Sequence, residues 1–212
     1  MKQRRADKIA ANATMMLETQ RYQQGCRRVA GVDEVGRGPL AGPVTAAAVI
    51  LDPARPIAGL NDSKQLSAAT REALFTEIAA KGEVAVAFLP ADVIDRINIR
   101  QASLLAMRRA VEALNTPPDF ALIDGRDVPP GLPCAAQAII GGDAISASIA
   151  AASIVAKVLR DRLMARAGAE WPGYGFENHA GYGTPLHKAG IARLGPCPIH
   201  RLSFAPFRNG TP

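Results

Sequence analysis

Short runs of apolar residues, each bounded by turn-forming residues, recur along the chain and predict β-strands. The strand-length runs cover residues 28–33, 43–51, 83–89, 120–124 and 135–140. A glycine-containing loop joins the first two runs, which favours an antiparallel pair. Because helical patterns alternate with the later strands, we predict an α/β fold built on a mixed rather than a purely parallel sheet.

Apolar residues at helical spacing fill the segments between the strands. Ser67 is a suitable N-cap for a helix that runs to about residue 80, with Leu74, Phe75 and Ile78 on one face. The other predicted helices lie near residues 10–23, 92–97, 99–114, 144–167 and 185–194. The length of 212 residues fits one domain with a small C-terminal addition.

Acidic residues follow three of the predicted strands. Asp33 and Glu34 come at the end of the first strand, Asp124 ends the fourth, and Asp143 follows a glycine pair after the fifth. Neighbouring side chains of a strand point to opposite faces, so we expect Asp33 and Glu34 to meet one site only where the backbone turns. Strand ends are where ligand sites gather in α/β sheets.

Four acids at one site repel each other unless cations neutralise them. Oxygen ligands without a cluster of Cys or His favour Mg²⁺ or Mn²⁺ over zinc. Two such ions about 4 Å apart activate water and stabilise the leaving oxygen of a phosphodiester. The pattern therefore indicates metal ions that act on a phosphate, and the loop Gly36-Arg37-Gly38 beside the first two acids fits that interpretation.

Each acid also has a structural interpretation. Asp124 before a glycine is a common turn sequence, and Asp143 is a possible N-cap of the long helix. Asp161 lies inside that helix and is interpreted as an ion-pair partner, and Asp62 as a turn acid. The shared position of four acids after strands favours a common site over four separate coincidences.

Charge and cysteine content indicate the class of partner and the cellular compartment, but they do not decide the function. The net charge of +6 and a pI near 9.6 favour a polyanionic partner. Three scattered cysteines argue against a disulfide framework, and Cys197 with His200 lacks the second pair of ligands of a zinc site. With no signal-peptide pattern and no apolar run of membrane-spanning length, we expect a cytoplasmic protein without a membrane partner.

Several ordered motifs closely resemble those of bacterial ribonuclease HII. The motifs are Asp33-Glu34-x-Gly36-Arg37-Gly38, Asn61-Asp62-Ser63-Lys64, Asp124-Gly125, Gly142-Asp143 and Gly181-Tyr182-Gly183-Thr184. The long helix around residues 148–158 and the tail over 200–204 are similar as well. The resemblance covers residues 28–207, and such a series is far more specific than any single motif.

This resemblance implies a ribonuclease H-like fold, in which helices flank a mixed sheet and a small helical extension follows. Residues 1–27 are then a lead-in, 28–167 the catalytic core, and 168–212 a C-terminal extension that contacts substrate. The lead-in is too short for the additional substrate-binding domain of the related ribonuclease HIII.

The activity implied is divalent-metal-dependent cleavage of RNA in RNA/DNA hybrids and of single ribonucleotides embedded in duplex DNA. The cut falls on the 5′ side of the ribonucleotide and leaves 3′-hydroxyl and 5′-phosphate ends. By the resemblance, a two-metal site of Mg²⁺ or Mn²⁺ has as its ligands and catalytic residues Asp33, Glu34, Asp124 and Asp143. We expect a monomer, and the C-terminus shows no glutamine-led aromatic peptide for binding a sliding clamp.

The resemblance also assigns substrate contacts. Gly36, Arg37 and Gly38 match the loop that senses the ribose 2′-hydroxyl, the group that separates RNA from DNA. Tyr182 matches a tyrosine that stacks on the sugar after the ribonucleotide. The candidates for holding phosphates are Lys64 and Lys157, with Ser63, Ser148 and Ser153 as lesser ones.

One residue departs from the family pattern, and the resemblance does not assign a role to the three histidines. Ala180 stands where the family more often carries a lysine, which removes one phosphate contact. His179, His187 and His200 are either structural or lie along the nucleic-acid path, and none is expected to be a general base.

Two other functions compete with the ribonuclease hypothesis. A DNA nuclease or strand-transfer enzyme would use the same carboxylates, but it needs no sensor of the 2′-hydroxyl. A non-enzymatic nucleic-acid-binding module accounts for the basic pI alone. It leaves the clustered acids unexplained, because without cations they repel a polyanion.

Overall fold

The fold is built on one five-stranded sheet in the computed structural model, which describes residues 12–209. The strands are β1 (Val29–Val35), β2 (Val44–Ile50), β3 (Glu83–Leu89), β4 (Phe120–Asp124) and β5 (Ala135–Ile139). Their order is β3-β2-β1-β4-β5. The pairs β1–β2 and β2–β3 are antiparallel, whereas β1–β4 and β4–β5 are parallel. The predictions of a mixed sheet and of an antiparallel first pair are confirmed.

Seven α-helices surround the sheet in the described residues. They are α1 (Met16–Gln23), α2 (Ala68–Lys81), α3 (Ala91–Ile97), α4 (Ile99–Glu112), α5 (Ala147–Glu170), α6 (Phe176–His179) and α7 (Pro185–Leu194). Ser67 caps α2 as predicted, since its hydroxyl accepts a hydrogen bond from the Thr70 amide at 3.1 Å. The predicted first helix is observed as α1, but it begins only at Met16, because Thr14 pairs with Ser146 in an isolated β-bridge. Residues 10 and 11 of that prediction lie outside the described range. The four-residue helix α6 was not predicted.

The helices cover the two faces of the sheet. On one face α3 and α4 supply Ile94 and Met107, and on the other α2 and α5 supply Ile78 and Ile154. Full burial of an isoleucine side chain contributes roughly 1.5–3 kcal/mol, so each face stabilises the sheet substantially. Gly31 lets α5 approach β1 closely, because a Cβ there would lie 2.1 Å from the Ser148 carbonyl carbon.

The start of α5 differs from the prediction. The helix begins at Ala147, after a separate 3₁₀ turn over Gly142–Ala144. The Ser146 hydroxyl caps it by accepting a hydrogen bond from the Ile149 amide at 3.2 Å. The interpretation of Asp143 as the N-cap is therefore wrong, because Ser146 occupies that position and leaves the Asp143 carboxylate available for other contacts.

After α5 the chain packs α6 and α7 around a small cluster that includes Met164, Phe176 and Ile191. A chain of histidines crosses this cluster. The Cys197 amide donates to His200 Nδ1 at 2.8 Å, His200 Nε2 contacts His187 Nε2 at 3.0 Å, and His187 Nδ1 contacts the Tyr182 carbonyl at 2.9 Å. Because the amide is an obligate donor, the chain is complete with both imidazoles neutral.

Burial favours this neutral state, since it lowers the pKa of His187 and lowers that of His200 to about 4. The chain ends on the Tyr182 carbonyl, so His187 and His200 are structural residues that support the Tyr182 loop. His179 also braces this loop, because its Nδ1 accepts from the Gly181 amide at 3.2 Å. No helix among residues 12–209 combines the length and apolarity needed to cross a bilayer.

Candidate active site

The centre of the site lies where β1 and β4 run side by side. Their parallel register pairs Val32 with Ile123, so the next residues along the two strands are Asp33 and Asp124. The Asp33 residue is only 6% exposed, at the bottom of the site. The sheet topology thus brings together two carboxylates that are far apart in the sequence.

The two neighbouring acids of β1 differ from the prediction in one respect. β1 continues to Val35, so Asp33 and Glu34 lie inside the strand, opposite Ala47 and Ala46 of β2. The prediction that the strand ends at Asp33 is wrong, because pairing with β2 extends the ladder past both acids. The turn is made instead at Gly36, whose φ of +90° favours glycine.

Asp143 is brought to the same site by a backbone contact. An Asp124 carboxylate oxygen accepts a hydrogen bond from the Gly142 amide at 2.8 Å, which ties the turn over Gly142–Ala144 to the end of β4. Burial raises the pKa of Asp143, and the nearby carboxylates of Asp124 and Asp62 raise it further. Asp143 therefore lies close enough to Asp124 for the two carboxylates to interact electrostatically.

The same repulsion affects both acids of β1. Burial raises the pKa of Asp33 well above its usual range, and the charges of Glu34 and Asp124 add to the shift. Burial also raises the pKa of Glu34, although Arg37, with its Nη1 atom 3.2 Å from a Glu34 carboxylate oxygen, opposes the shift. The protein thus holds several carboxylates together without enough internal positive charge to neutralise them.

Of the two candidate lysines, Lys64 lies in the field of this site. Burial acts to lower its pKa, but the carboxylates of Asp62, Asp143 and Asp33 outweigh that effect and raise it. Asp62 also accepts from the Lys64 amide at 2.9 Å, which confirms Asp62 as a turn acid. The lysine is exposed and is available to a substrate.

Lys157 has a different environment. Its Nζ atom lies 2.7 Å from a carboxylate oxygen of Asp161, one helical turn further along α5. The prediction that Asp161 is an ion-pair partner is confirmed. A phosphate at Lys157 would have to share the lysine with this carboxylate.

The carboxylates fit divalent metal ions by their chemistry. All the donors are hard oxygen atoms, which suits Mg²⁺ or Mn²⁺, and their mutual repulsion is relieved by a cation. Within residues 12–209, no three Asp, Glu, His or Cys side chains already stand as ligands around one point.

The Gly-Arg-Gly loop and Tyr182 form the rim of the site. A Cβ placed on Gly38 would lie 3.5 Å from the Tyr182 ring, so the ring packs beside the loop. Tyr182 is 45% exposed, whereas Tyr174, in the cluster beneath, is 5% exposed. Since Arg37 bonds Glu34, the acids, the loop and the exposed ring form one continuous surface.

Comparison with known proteins identifies the family, because the model of the ribonuclease HII family matches residues 30–207. The chain belongs to the ribonuclease HII family. Ribonuclease HII of Rhizobium leguminosarum bv. trifolii is 60% identical over 193 residues, which cover 91% of this chain and 84% of the relative. Ribonuclease HII of Sinorhizobium fredii is 63% identical over 181 residues, which cover 85% and 78%.

Solved structures of this type share the fold. Ribonuclease H2 from Pyrococcus horikoshii superposes with a TM-score of 0.74 at 28% identity and covers 86% of this chain and 96% of its own. The ribonuclease HII solved in complex with PCNA from Archaeoglobus fulgidus gives 0.71 at 26%, with coverage of 84% and 95%. The protein is therefore an endoribonuclease of the ribonuclease H type 2 class with a ribonuclease H-like fold, and it acts on RNA/DNA hybrids.

Three candidate residues of this ribonuclease HII chain are buried away from the surface. Ser148 donates to Glu18 of α1 through both its amide and its hydroxyl. Ser153 donates its hydroxyl to that of Ser63 at 2.8 Å. The structure buries these three serines in contacts within the protein rather than at the surface, where a phosphate would lie.

Sequence patterns missed two arginines of the ribonuclease HII site. Arg160 of α5 and Arg201 of the tail are fully buried beneath the rim. Burial lowers the pKa of Arg201 to about 9, which leaves it a cation at neutral pH. A charged residue within the apolar stripe of α5 was the available signal for Arg160. For Arg201 the signal was the resemblance of the tail over 200–204 to the family, which assigned the residue no role.

Arg160 also accounts for the conformation of Ala180, the residue that departs from the usual family lysine. Ala180 has a φ of +48°, in the left-handed region that L side chains rarely adopt. Its carbonyl accepts a hydrogen bond from Arg160 Nη1 at 3.0 Å. The buried arginine holds this strained turn, and with it the approach of the chain to Tyr182.

Proposed function

We propose that the protein is a divalent-metal-dependent endonuclease for the RNA strand of RNA/DNA hybrids and for single ribonucleotides embedded in duplex DNA. It cuts on the 5′ side of the ribonucleotide and leaves 3′-hydroxyl and 5′-phosphate ends. The observation that carries this proposal is the continuous surface from the acid pair Asp33 and Asp124, through Glu34 and Arg37, to Tyr182.

The four carboxylates Asp33, Glu34, Asp124 and Asp143 hold the metal in this proposal. Two Mg²⁺ or Mn²⁺ ions bound there supply an activated water and stabilise the leaving oxygen. The carboxylates are suited to this because burial, with added repulsion between them, raises the pKa of Asp33, Glu34 and Asp143, and a cation would relieve both effects. The structural neighbour Bst-RNase HIII was solved in complex with Mn²⁺; at 21% identity and a TM-score of 0.70 it shows the fold alone.

The rim provides the selectivity for RNA. Glycines at positions 36 and 38 let the main chain approach a ribose, and its amides can hydrogen-bond the 2′-hydroxyl that DNA lacks. The exposed Tyr182 ring is a platform for the sugar of the following nucleotide. Lys64 and Lys157 hold backbone phosphates. Lys157 also forms an ion pair with Asp161, so a phosphate there shares the lysine with that carboxylate.

In this proposal residues 28–167 form the catalytic core, which also carries the glycine loop and the two lysines, and residues 168–212 form a C-terminal extension that contacts substrate. The extension includes Tyr182 and its supporting histidines. We propose that the chain acts as a monomer, since the acids and the rim both belong to it.

The test is cleavage of an end-labelled DNA duplex that carries one ribonucleotide, beside an all-DNA duplex of the same sequence. Each is incubated with Mg²⁺, with Mn²⁺ and with a chelator. We expect one metal-dependent cut 5′ to the ribonucleotide and no cut in the all-DNA duplex.

Each alternative function has its own result in this assay. Metal-dependent cutting of both duplexes would show a DNA nuclease. Binding of both without cutting would show a nucleic-acid-binding module, and cutting in the presence of the chelator would contradict the role given to the carboxylates.

A further inference from the structure

The loop that connects β1 to β2 is held from below by the guanidinium of Arg201. Its Nη2 donates to the Gly36 carbonyl at 2.5 Å, and its Nη1 donates to the Arg37 carbonyl at 3.0 Å. Nε and Nη2 also donate to the Gly42 carbonyl, at 2.9 and 2.8 Å. One buried cation therefore fixes the carbonyls at both ends of the loop.

These contacts determine which way two peptide groups face. In a planar trans peptide the carbonyl and the following amide point in opposite directions. Since the carbonyls of Gly36 and Arg37 point inward to Arg201, the amides of Arg37 and Gly38 point outward. Both residues are exposed, and within residues 12–209 neither amide donates to a protein acceptor. The outward donors are thus available to a ligand oxygen.

We infer that Arg201 is a positioning residue for recognition of the 2′-hydroxyl: it holds two loop carbonyls inward and so presents the amides of Arg37 and Gly38 to the substrate sugar. The inference rests on the proposed function, in which this loop contacts the ribonucleotide. Arg201 itself does not reach the sugar, because its side chain is fully buried beneath the loop. Its effect on selectivity passes through the orientation of the backbone.

Arg201 is itself held in place from two sides. Its amide donates to the Leu40 carbonyl at 2.8 Å, and its guanidinium carbon lies 5.2 Å from the centre of the Phe204 ring. Asp95 of α3 accepts from the amides of Leu202 and Ser203 at 2.8 and 3.0 Å. The tail segment is therefore fixed to α3, and the guanidinium has one position under the loop.

Arg160 offers a matched control in the same region. It is equally buried and also donates only to carbonyls, those of Pro43, Ala41 and Ala180. It bonds neither the Gly36 nor the Arg37 carbonyl. Loss of either guanidinium leaves buried carbonyls without donors, so both changes destabilise the fold, but only loss of Arg201 frees the two peptide groups.

The experiment compares Arg201→Lys with Arg160→Lys in the full chain. Lysine keeps the positive charge but lacks the planar fork that reaches three carbonyls at once. The readout is a ratio: the inhibition constant of an all-DNA duplex divided by the KM for the same duplex with one ribonucleotide. Neither constant depends on the concentration of active enzyme, so a loss of folded protein alone leaves the ratio unchanged.

We expect the wild type to favour the ribonucleotide duplex and Arg201→Lys to lower the ratio about tenfold, as the loss of one or two hydrogen bonds implies. Arg160→Lys should lose a similar amount of thermal stability and weaken any contact made through Tyr182, but that contact is to a sugar that both duplexes carry, so the ratio should stay within about twofold of the wild type. Asp95→Ala, which loosens the tail without touching the loop, should shift the ratio in the same direction by a smaller factor.

The outcomes separate this inference from the proposed function. A wild type that does not cut the ribonucleotide duplex with Mg²⁺ or Mn²⁺ overturns the proposed function and this inference with it. A wild type that cuts and discriminates, while Arg201→Lys keeps the full ratio, overturns the inference alone. An equal fall of the ratio in both lysine variants also overturns it. If Arg201→Lys does not fold, an unchanged ratio in Asp95→Ala overturns it as well.

Discussion

Two groups of buried charges lie close together in this molecule and are satisfied in opposite ways. Arg160 and Arg201 each donate hydrogen bonds to three backbone carbonyls, so their donors are satisfied within the fold although burial lowers the pKa of both. Burial raises the pKa of Asp33, and the neighbouring carboxylates of Glu34 and Asp124 raise it further. Burial of a charge is costly unless it has partners. The arginines therefore have protein acceptors for their donors, whereas in the proposed function the carboxylates take a cation from outside.

In the proposed function the carboxylates carry out the chemistry, whereas the two buried arginines hold the backbone around them in place. Compensated arginines give a rigid support, because moving either would expose carbonyls without donors. In the proposed function the clustered carboxylates supply the affinity for metal, at a cost in stability of the metal-free fold. Two hydrogen-bonded arginines therefore lie beside a group of carboxylates whose charges the protein itself does not neutralise.

The largest effect expected is on catalysis by Asp33→Asn. Loss of a central carboxylate should lower kcat/KM on the ribonucleotide duplex at least about a thousandfold, while duplex binding is largely kept. Single-turnover cleavage and fluorescence anisotropy measure the two quantities. Asp127→Asn, an exposed acid paired with Arg100 by a 3.0 Å contact, is the control and should leave both unchanged. Activity retained in Asp33→Asn would contradict the assignment of the acid site.

Removal of the exposed ring in Tyr182→Ala should have the next largest effect. The loss of one stacking contact predicts a fall in kcat/KM of about tenfold to a hundredfold, with little change in the melting temperature. The matched change Tyr174→Ala removes a buried ring that stacks on Phe176 at 5.2 Å and donates to the Gly195 carbonyl. It should lower the melting temperature strongly. Similar melting temperatures for both variants would contradict the interpretation of Tyr182 as an exposed platform and of Tyr174 as a core residue.

The stability of the metal-free protein tests the repulsion among the carboxylates. The folded-state pKa of Asp33 is raised, so its ionisation destabilises the fold as the pH rises from the ordinary carboxyl range through that raised value. At neutral pH with a chelator, Asp33→Asn should therefore melt a few degrees higher than the wild type, on the order of 1 kcal/mol. Addition of Mn²⁺ should stabilise the wild type more than the variant. A lower melting temperature for the variant in chelator would contradict the repulsion.

The pH dependence of the histidine chain is a further test of the buried charges. The pKa of His200 is lowered to about 4 in the fold, below the ordinary 6.5. The unfolded chain therefore takes up the proton first, and stability is lost as the pH falls from 6.5 towards 4. His200→Asn should flatten this part of the curve, measured as the difference between variant and wild type in chelator. Parallel curves would show that His200 does not contribute.

The strands and the acids were predictable because their signal is local. Five short apolar runs predicted all five strands, and the acids after three of them predicted the candidate site. The exact ends were not predictable in the same way. The ladder with β2 carries β1 past Asp33 to Val35, and Ser146 rather than Asp143 caps α5, because both outcomes depend on contacts with other elements.

The hydrogen bonds of Arg201 could not be predicted from sequence patterns, because they join residues that are distant along the chain. Arg201 bonds the carbonyl of Gly36 across 165 positions, and no periodicity links the two. A tail arginine resembles any solvated charge until the fold places it under the loop. Acid clusters are thus easier to predict than the arginines that orient the backbone around them.

The most direct test of the central claim is a calorimetric titration of Mn²⁺ into the substrate-free protein, with Asp33→Asn titrated beside it. An uncompensated carboxylate site predicts saturable binding by the wild type and affinity at least about tenfold weaker in the variant. Equal affinity in both proteins, or no binding by the wild type, would contradict the claim that this site is completed by a cation.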